Sequence, residues 1–127
     1  FSRRLAERTG AALMAQSWAH GLDLKAALGA GLREALEKEV GTTTACLLYV
    51  TPSGTLHALN LGDSGYRVVS AAHELKACSV EQLHGFNCPF QLGTGSADAP
   101  EDGEQTECIV SAGDVVLLAS DGLLDNV

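Results

Sequence analysis

Apolar residues recur along the first forty positions at helical spacing and later in short runs, so the chain changes period partway along. Phe1, Leu5, Ala12, Ala15 and Ala19 share one helical stripe, flanked by Trp18 and interrupted by Arg8, which predicts a helix over 1–20. Gly10 weakens that helix by about 1 kcal/mol relative to Ala, and Gly21 is placed to end it. Asp23 is a good N-cap for a second helix over 24–40, in which Leu24, Leu28, Leu32, Leu36 and Val40 repeat and Ala35 widens the stripe. Glu34 and Lys38 are spaced as an i,i+4 pair on its other side. Gly29 and Gly31 suit a close approach by another backbone, so the two helices are expected to form an antiparallel hairpin lying on a sheet.

Gly41 switches the pattern. "TTTACLLYV" (42–50) reads as a strand, "TPSG" as a turn, "TLHALNLG" (55–62) as a second strand and "YRVVS" (66–70) as a third after a tight "GDSG" turn. A short fourth strand is expected within 71–79, irregular chain over 80–105, and a final hairpin of 106–111 with 115–120 around Gly113-Asp114. Helices first and consecutive strands afterwards indicate an α+β class with antiparallel sheets. The chain is read as a single partial domain, 1–127, with a helical hairpin over 1–40 and mainly antiparallel strands over 42–127.

Composition narrows the partners. Sixteen acidic residues against eight basic ones give a net charge of −8, which disfavours nucleic acid and anionic membranes because no basic cluster could neutralise phosphates. The acidic run "DAPEDGEQTE" lacks calcium-loop spacing and reads as a solvated loop. Apolar runs fall far short of the roughly 20 residues of a membrane span. Cys46, Cys78, Cys88 and Cys108 have neither CxxC pairing nor zinc-ligand spacing, which suits a reducing, intracellular setting. Both ends read as cut, so the chain is taken as part of a longer protein.

Candidate chemistry lies in two turns. Asp63 in "LGDSG" and Asp121 with Asp125 in "SDGLLD" each follow a strand whose apolar composition predicts burial, and the two turns could meet at one end of a sheet. Converging carboxylates repel unless a cation lies between them, and hard oxygen ligands favour Mg²⁺ or Mn²⁺. Asp also caps turns through its own backbone, so either turn alone is better explained locally, and the two together strengthen the case for a cation.

Together, "GTTTACLLYV" (41–50), "LGDSG" (61–65), "FNCPFQLG" (86–93) and "ASDGLLDNV" (119–127) resemble, in that order, the metal-dependent protein serine/threonine phosphatases of the phosphatase 2C family. The resemblance is to its short organellar branch, which carries a Phe-Asn-x-Pro-Phe-Gln-Leu segment, and it extends over nearly the whole chain. It implies an antiparallel β-sandwich flanked by antiparallel helices, incomplete here, and two Mn²⁺ or Mg²⁺ ions bridged by a water. Asp121 would be a ligand of that metal pair, while Asp63 and Asp125 would help hold a third, looser ion. The implied activity is hydrolysis of phosphoserine or phosphothreonine in a phosphoprotein substrate by metal-activated water, in a mitochondrion or plastid. Catalytic residues other than these metal ligands are not assigned.

The family's Asp-Gly-x-Gly-Gly turn, its upstream Glu-Asp strand and its late Asp have no counterpart here, so the isolated chain is expected to be nearly inactive. A non-catalytic phosphatase-like interaction domain is the alternative, disfavoured by retention of three acids. "GDSG" also surrounds the nucleophile of trypsin-like proteases, but His73 follows Ser64 in reverse order and 127 residues cannot form two barrels. In "FNCPFQL", Phe86 and Phe90 are expected to pin a loop to the core, or the segment to serve as a flap facing substrate.

Overall fold

The computed structural model describes residues 1–126, with the backbone alone at His20. Two units divide the chain: Phe1–Thr43 with Gln91–Gly103, and Thr44–Phe90 with Glu104–Val127.

The first unit holds helices α1 (Ser2–Met14) and α2 (Leu24–Leu36). They run antiparallel, because contacts step down one helix as they step up the other. Arg4 Nε reaches Glu39 Oε1 at 2.8 Å, Arg8 Nε reaches Glu34 Oε2 at 3.4 Å, and Thr9 lies against Gly31. A Cβ at Gly31 would stand 2.3 Å from Thr9 Oγ1, so this glycine sets how closely the helices approach. The buried face of α2 is Leu24, Ala27, Leu28, Gly31 and Ala35, a 3.6-residue period centred on glycine rather than a run of leucines.

Both helices are shorter than their sequence patterns. α1 stops at Met14 rather than 20, since Gln16 turns its side chain to Asp23, accepting its N–H at 2.6 Å and donating to its carbonyl at 2.9 Å. A 3-10 turn, Trp18–His20, follows, capped by Ser17 and by Gly21 at φ 78. Trp18, expected to flank the apolar stripe, is 54% exposed. α2 ends at Leu36, leaving Val40 83% exposed, and Glu34 pairs with Arg8 rather than Lys38, which lies past the helix end. Strands β1 (Thr42–Thr43) and β8 (Leu92–Gly93) form a small antiparallel ladder in the same unit.

The second unit is an antiparallel sandwich. One sheet has the order β2-β3-β9, from Ala45–Val50, Thr55–Leu61 and Glu104–Ile109. The other has the order β10-β4-β5, from Val115–Ala119, Gly65–Val69 and Leu75–Cys78. Leu56 and Ala58 from the first sheet pack with Tyr66 and Val68 from the second, and Tyr66 Oη lies 2.7 Å from Thr106 Oγ1 across the layers. Strand β3 is buried from Ala58 to Leu61 because it pairs on both edges.

Four expectations change here. The strand over 42–50 breaks at Thr44, whose hydroxyl lies 2.6 Å from Ser64 Oγ. β9 and β10 do not form a hairpin; Ser111 and Asp114 close a turn between strands of different sheets. The stretch 80–105 is partly regular, with β6 (Leu83–Gly85) paired to β7 (Cys88–Pro89), β8, and a 3-10 turn at Pro100–Asp102. β10 is not buried: it is an edge strand with Val115 61% and Leu118 53% exposed, since apolar composition reports what a strand can bury, not what lies against it.

Candidate metal centre at the shared end of β4 and β10

Strands β4 and β10 pair in antiparallel register from Val69 opposite Val115 to Gly65 opposite Ala119. Asp63 lies two residues before Gly65, and Asp121 lies two residues after Ala119. The continued register therefore carries both aspartates off the same end of one strand pair, where neighbouring chains run about 5 Å apart. Asp121 opens the short helix α3 (Asp121–Leu124), and Asp125 caps it with its N–H donating to the Asp121 carbonyl at 2.9 Å. One helical turn separates them, so their side chains project from the same face.

The electrostatics agree with this placement. Partial burial raises the Asp63 carboxyl above its ordinary value, and the charges of Asp121 and then Asp125 push it the same way, opposed only by the bond to its own backbone N–H. Asp63 therefore lies within the field of both other acids. A cation between them would offset the repulsion that remains at this solvent-exposed end. The donor set, carboxylate oxygens throughout, fits a hard divalent ion in kind. Among the described residues, however, no group of three or more His, Cys, Asp and Glu gathers closely enough to hold a metal. The three acids thus share one end of the strand pair without forming a closed ligand shell.

The turn carrying Asp63 is tightly held. Besides the Thr44–Ser64 contact, Ser79 Oγ accepts the Tyr66 N–H at 3.0 Å and Gln82 Oε1 accepts the Gly62 N–H at 3.1 Å. Gly62 has φ 104, and a Cβ there would stand 2.4 Å from Thr44 Cγ2. Sequence reasoning assigned nothing to Gln82, because a glutamine in a polar stretch carries no periodic or spacing signal. Nor does Phe86 pin the hairpin as expected: it is fully exposed beside Asn87 at φ 52, while Phe90 stacks on His84 with ring centroids 4.1 Å apart. Elsewhere, Lys76 pairs with Asp114, and His57 stacks on Tyr49.

The same fold occurs in the X-ray structure of the photosystem II phosphatase PBCP, with a TM-score of 0.89 and 25% identity, covering 100% of this chain and 49% of that one. In sequence, the chain is 37% identical to "Probable protein phosphatase 2C 80" of Arabidopsis thaliana over 128 aligned residues, covering 100% of this chain. The chain belongs to the protein phosphatase 2C family. It is also 43% identical over 91 residues to "Probable protein phosphatase 2C 55" of Arabidopsis thaliana, and 41% over 112 residues to "Protein phosphatase PTC7 homolog" of Xenopus laevis. Those matches cover 71% and 79% of this chain. The chain spans 19%, 30% and 37% of the lengths of these phosphatase 2C relatives, in the order 55, 80 and PTC7 homolog. No family model matches it.

Proposed function

We propose that this chain is part of one metal-dependent phosphatase domain that hydrolyses phosphoserine and phosphothreonine in phosphoprotein substrates. The observation that carries the reading is the register of β4 and β10, which brings Asp63 and Asp121 off one end of the ladder with Asp125 one helical turn further on, in a chain of the phosphatase 2C family. Asp121 is the residue we assign to the principal metal pair, and Asp63 and Asp125 to a looser neighbouring ion, with Mn²⁺ or Mg²⁺ as the cofactor. When bound, such ions activate water and offset charge on the phosphoryl oxygens.

The chain's own contribution is placement. β4 and β10 deliver two acids to one end of a paired ladder, and α3 adds a third one turn away. The hydrogen-bonded turn at 62–65 limits how far Asp63 can withdraw from the others. Further carboxylates must complete the shell, as the resemblance implies. A non-catalytic interaction domain is disfavoured, because a site with no cation has no physical use for mutually repelling acids.

No helix among the described residues is long and apolar enough to cross a membrane. By its resemblance to the organellar branch, the protein is assigned to a mitochondrion or plastid, which fractionation of cells expressing the full-length protein would check. The function itself is tested with Asp121→Asn in the full-length protein, assayed on a phosphopeptide with Mn²⁺. Loss of activity with an unchanged circular dichroism spectrum is expected; retained activity overturns the assignment.

A further inference from the structure

Gln82 bonds both backbone polar groups of Gly62, the residue before Asp63, and the Gly62 carbonyl also accepts from Asn60 Nδ2 at 3.4 Å. The Gly62 N–H donates to Gln82 Oε1 at 3.1 Å, and its carbonyl accepts the Gln82 N–H at 3.0 Å. The Gln82 carbonyl in turn accepts the Phe90 N–H at 2.9 Å. Both ends of the β6–β7 hairpin therefore close on one glycine, and a Cβ there would stand 2.7 Å from the Phe90 carbonyl oxygen. A glycine at φ 104 has no side chain to select its conformation, so its hydrogen-bond partners must do so. The two fixed groups belong to the two peptides flanking Gly62, and the second peptide supplies the nitrogen of Asp63.

We propose that Gln82 is a positioning residue for Asp63. Its side-chain oxygen and backbone together set the direction in which the Asp63 carboxylate leaves β3, and they tie the β6–β7 hairpin to that carboxylate. The proposal rests on the metal-site reading above. An ordinary loop staple would stabilise the fold without affecting the ion, whereas a positioning residue alters metal affinity, as supporting partners of ligands do.

The experiment is Mn²⁺ titration calorimetry on the full-length protein, comparing wild type with Asp63→Asn, Gln82→Met and Gln82→Glu. Methionine keeps the volume and removes the acceptor; glutamate keeps an acceptor oxygen at the same reach. Gln82→Met is expected to weaken Mn²⁺ binding about tenfold, and Gln82→Glu to retain it. Unchanged affinity in Gln82→Met, or an equal loss in Gln82→Glu, overturns the proposal.

Because the Phe90 N–H donates to the Gln82 carbonyl, Mn²⁺ held through Asp63 is also expected to slow hydrogen exchange of the Phe90 amide in the wild-type protein. Unchanged exchange there overturns the proposal even if a variant fails to fold. If Asp63→Asn binds Mn²⁺ like wild type, the assignment of Asp63 to the looser ion falls and the proposal with it. If Asp63→Asn loses affinity and Gln82→Met does not, only the role of Gln82 falls.

Discussion

Gly65 on β4 and Ala119 on β10 are direct cross-strand partners, and two residues beyond each of them stands an aspartate. The ladder thus fixes a neighbourhood that the acids themselves oppose. Asp63 has a raised carboxyl, so its favourable contribution belongs to the protonated form below its ordinary value of 3.8 and is lost as pH rises through the higher folded value. At neutral pH without metal, its charge costs stability. Asp63→Asn is therefore expected to leave the metal-free melting temperature unchanged or raised at pH 7, and to diminish the increase that Mn²⁺ gives wild type. Scanning calorimetry with and without Mn²⁺ reads both; a lower metal-free melting temperature would contradict the repulsion.

Lys76 and Asp114 give the opposite sign. The Lys76 ammonium, with the Ser111 N–H and the Ala71 backbone, holds the Asp114 carboxyl below its ordinary 3.8. The Asp114 side chain is only 6% exposed, yet the hydrogen bonds from Lys76 and the Ser111 N–H outweigh its desolvation. A depressed carboxyl stabilises the fold above pH 3.8, and that contribution disappears as pH falls through the lower folded value. The melting-temperature difference between wild type and Asp114→Asn should be present at pH 6 and shrink toward zero in strong acid. A difference independent of pH would show that the charge is not what matters.

Two glycines in helices should respond in opposite directions to alanine. At Gly31 a Cβ meets Thr9 at 2.3 Å, so Gly31→Ala is expected to destabilise by about 1–3 kcal/mol through overpacking. At Gly10 nothing lies within 4 Å, and Gly10→Ala should stabilise by about 0.5–1 kcal/mol through helix propensity. Urea denaturation of both variants decides the matter.

Thiol reactivity should divide by burial. Desolvation pushes the Cys46 thiol up to about 11, whereas Cys78 and Cys88 are exposed. Maleimide labelling at pH 8 with peptide mapping should modify Cys78 and Cys88 well before Cys46. Equal rates would mean that the β2 side of the sandwich opens readily.

Much of this arrangement was legible in the residues. Asp23 capping α2, Gly31 admitting a second helix and Gly62 turning into Asp63 are local rules with local causes, and each operates as written in the sequence. What failed was long-range. Within these 127 residues Val115–Ala119, with the composition of a central strand, stands at an edge, and 104–109 pairs with β3 rather than with the strand that follows it. Pairing choices depend on which edges are vacant, and periodicity contains no information about that. The role of Gln82 is illegible in the sequence for a related reason: it comes from the peptide Gln82 meets, 20 residues away, not from its own neighbours.

The strand pairings also determine when the sandwich can form. β3 completes its pairing only with Glu104–Ile109, and β4 with β10 only at Val115–Ala119, so each sheet waits for chain made about fifty residues later. Closing such long loops slows folding and leaves edges open meanwhile. During synthesis, the β2–β3 hairpin would leave the ribosome with one flank unpaired, a period in which a chaperone or the rest of the nascent chain must protect it.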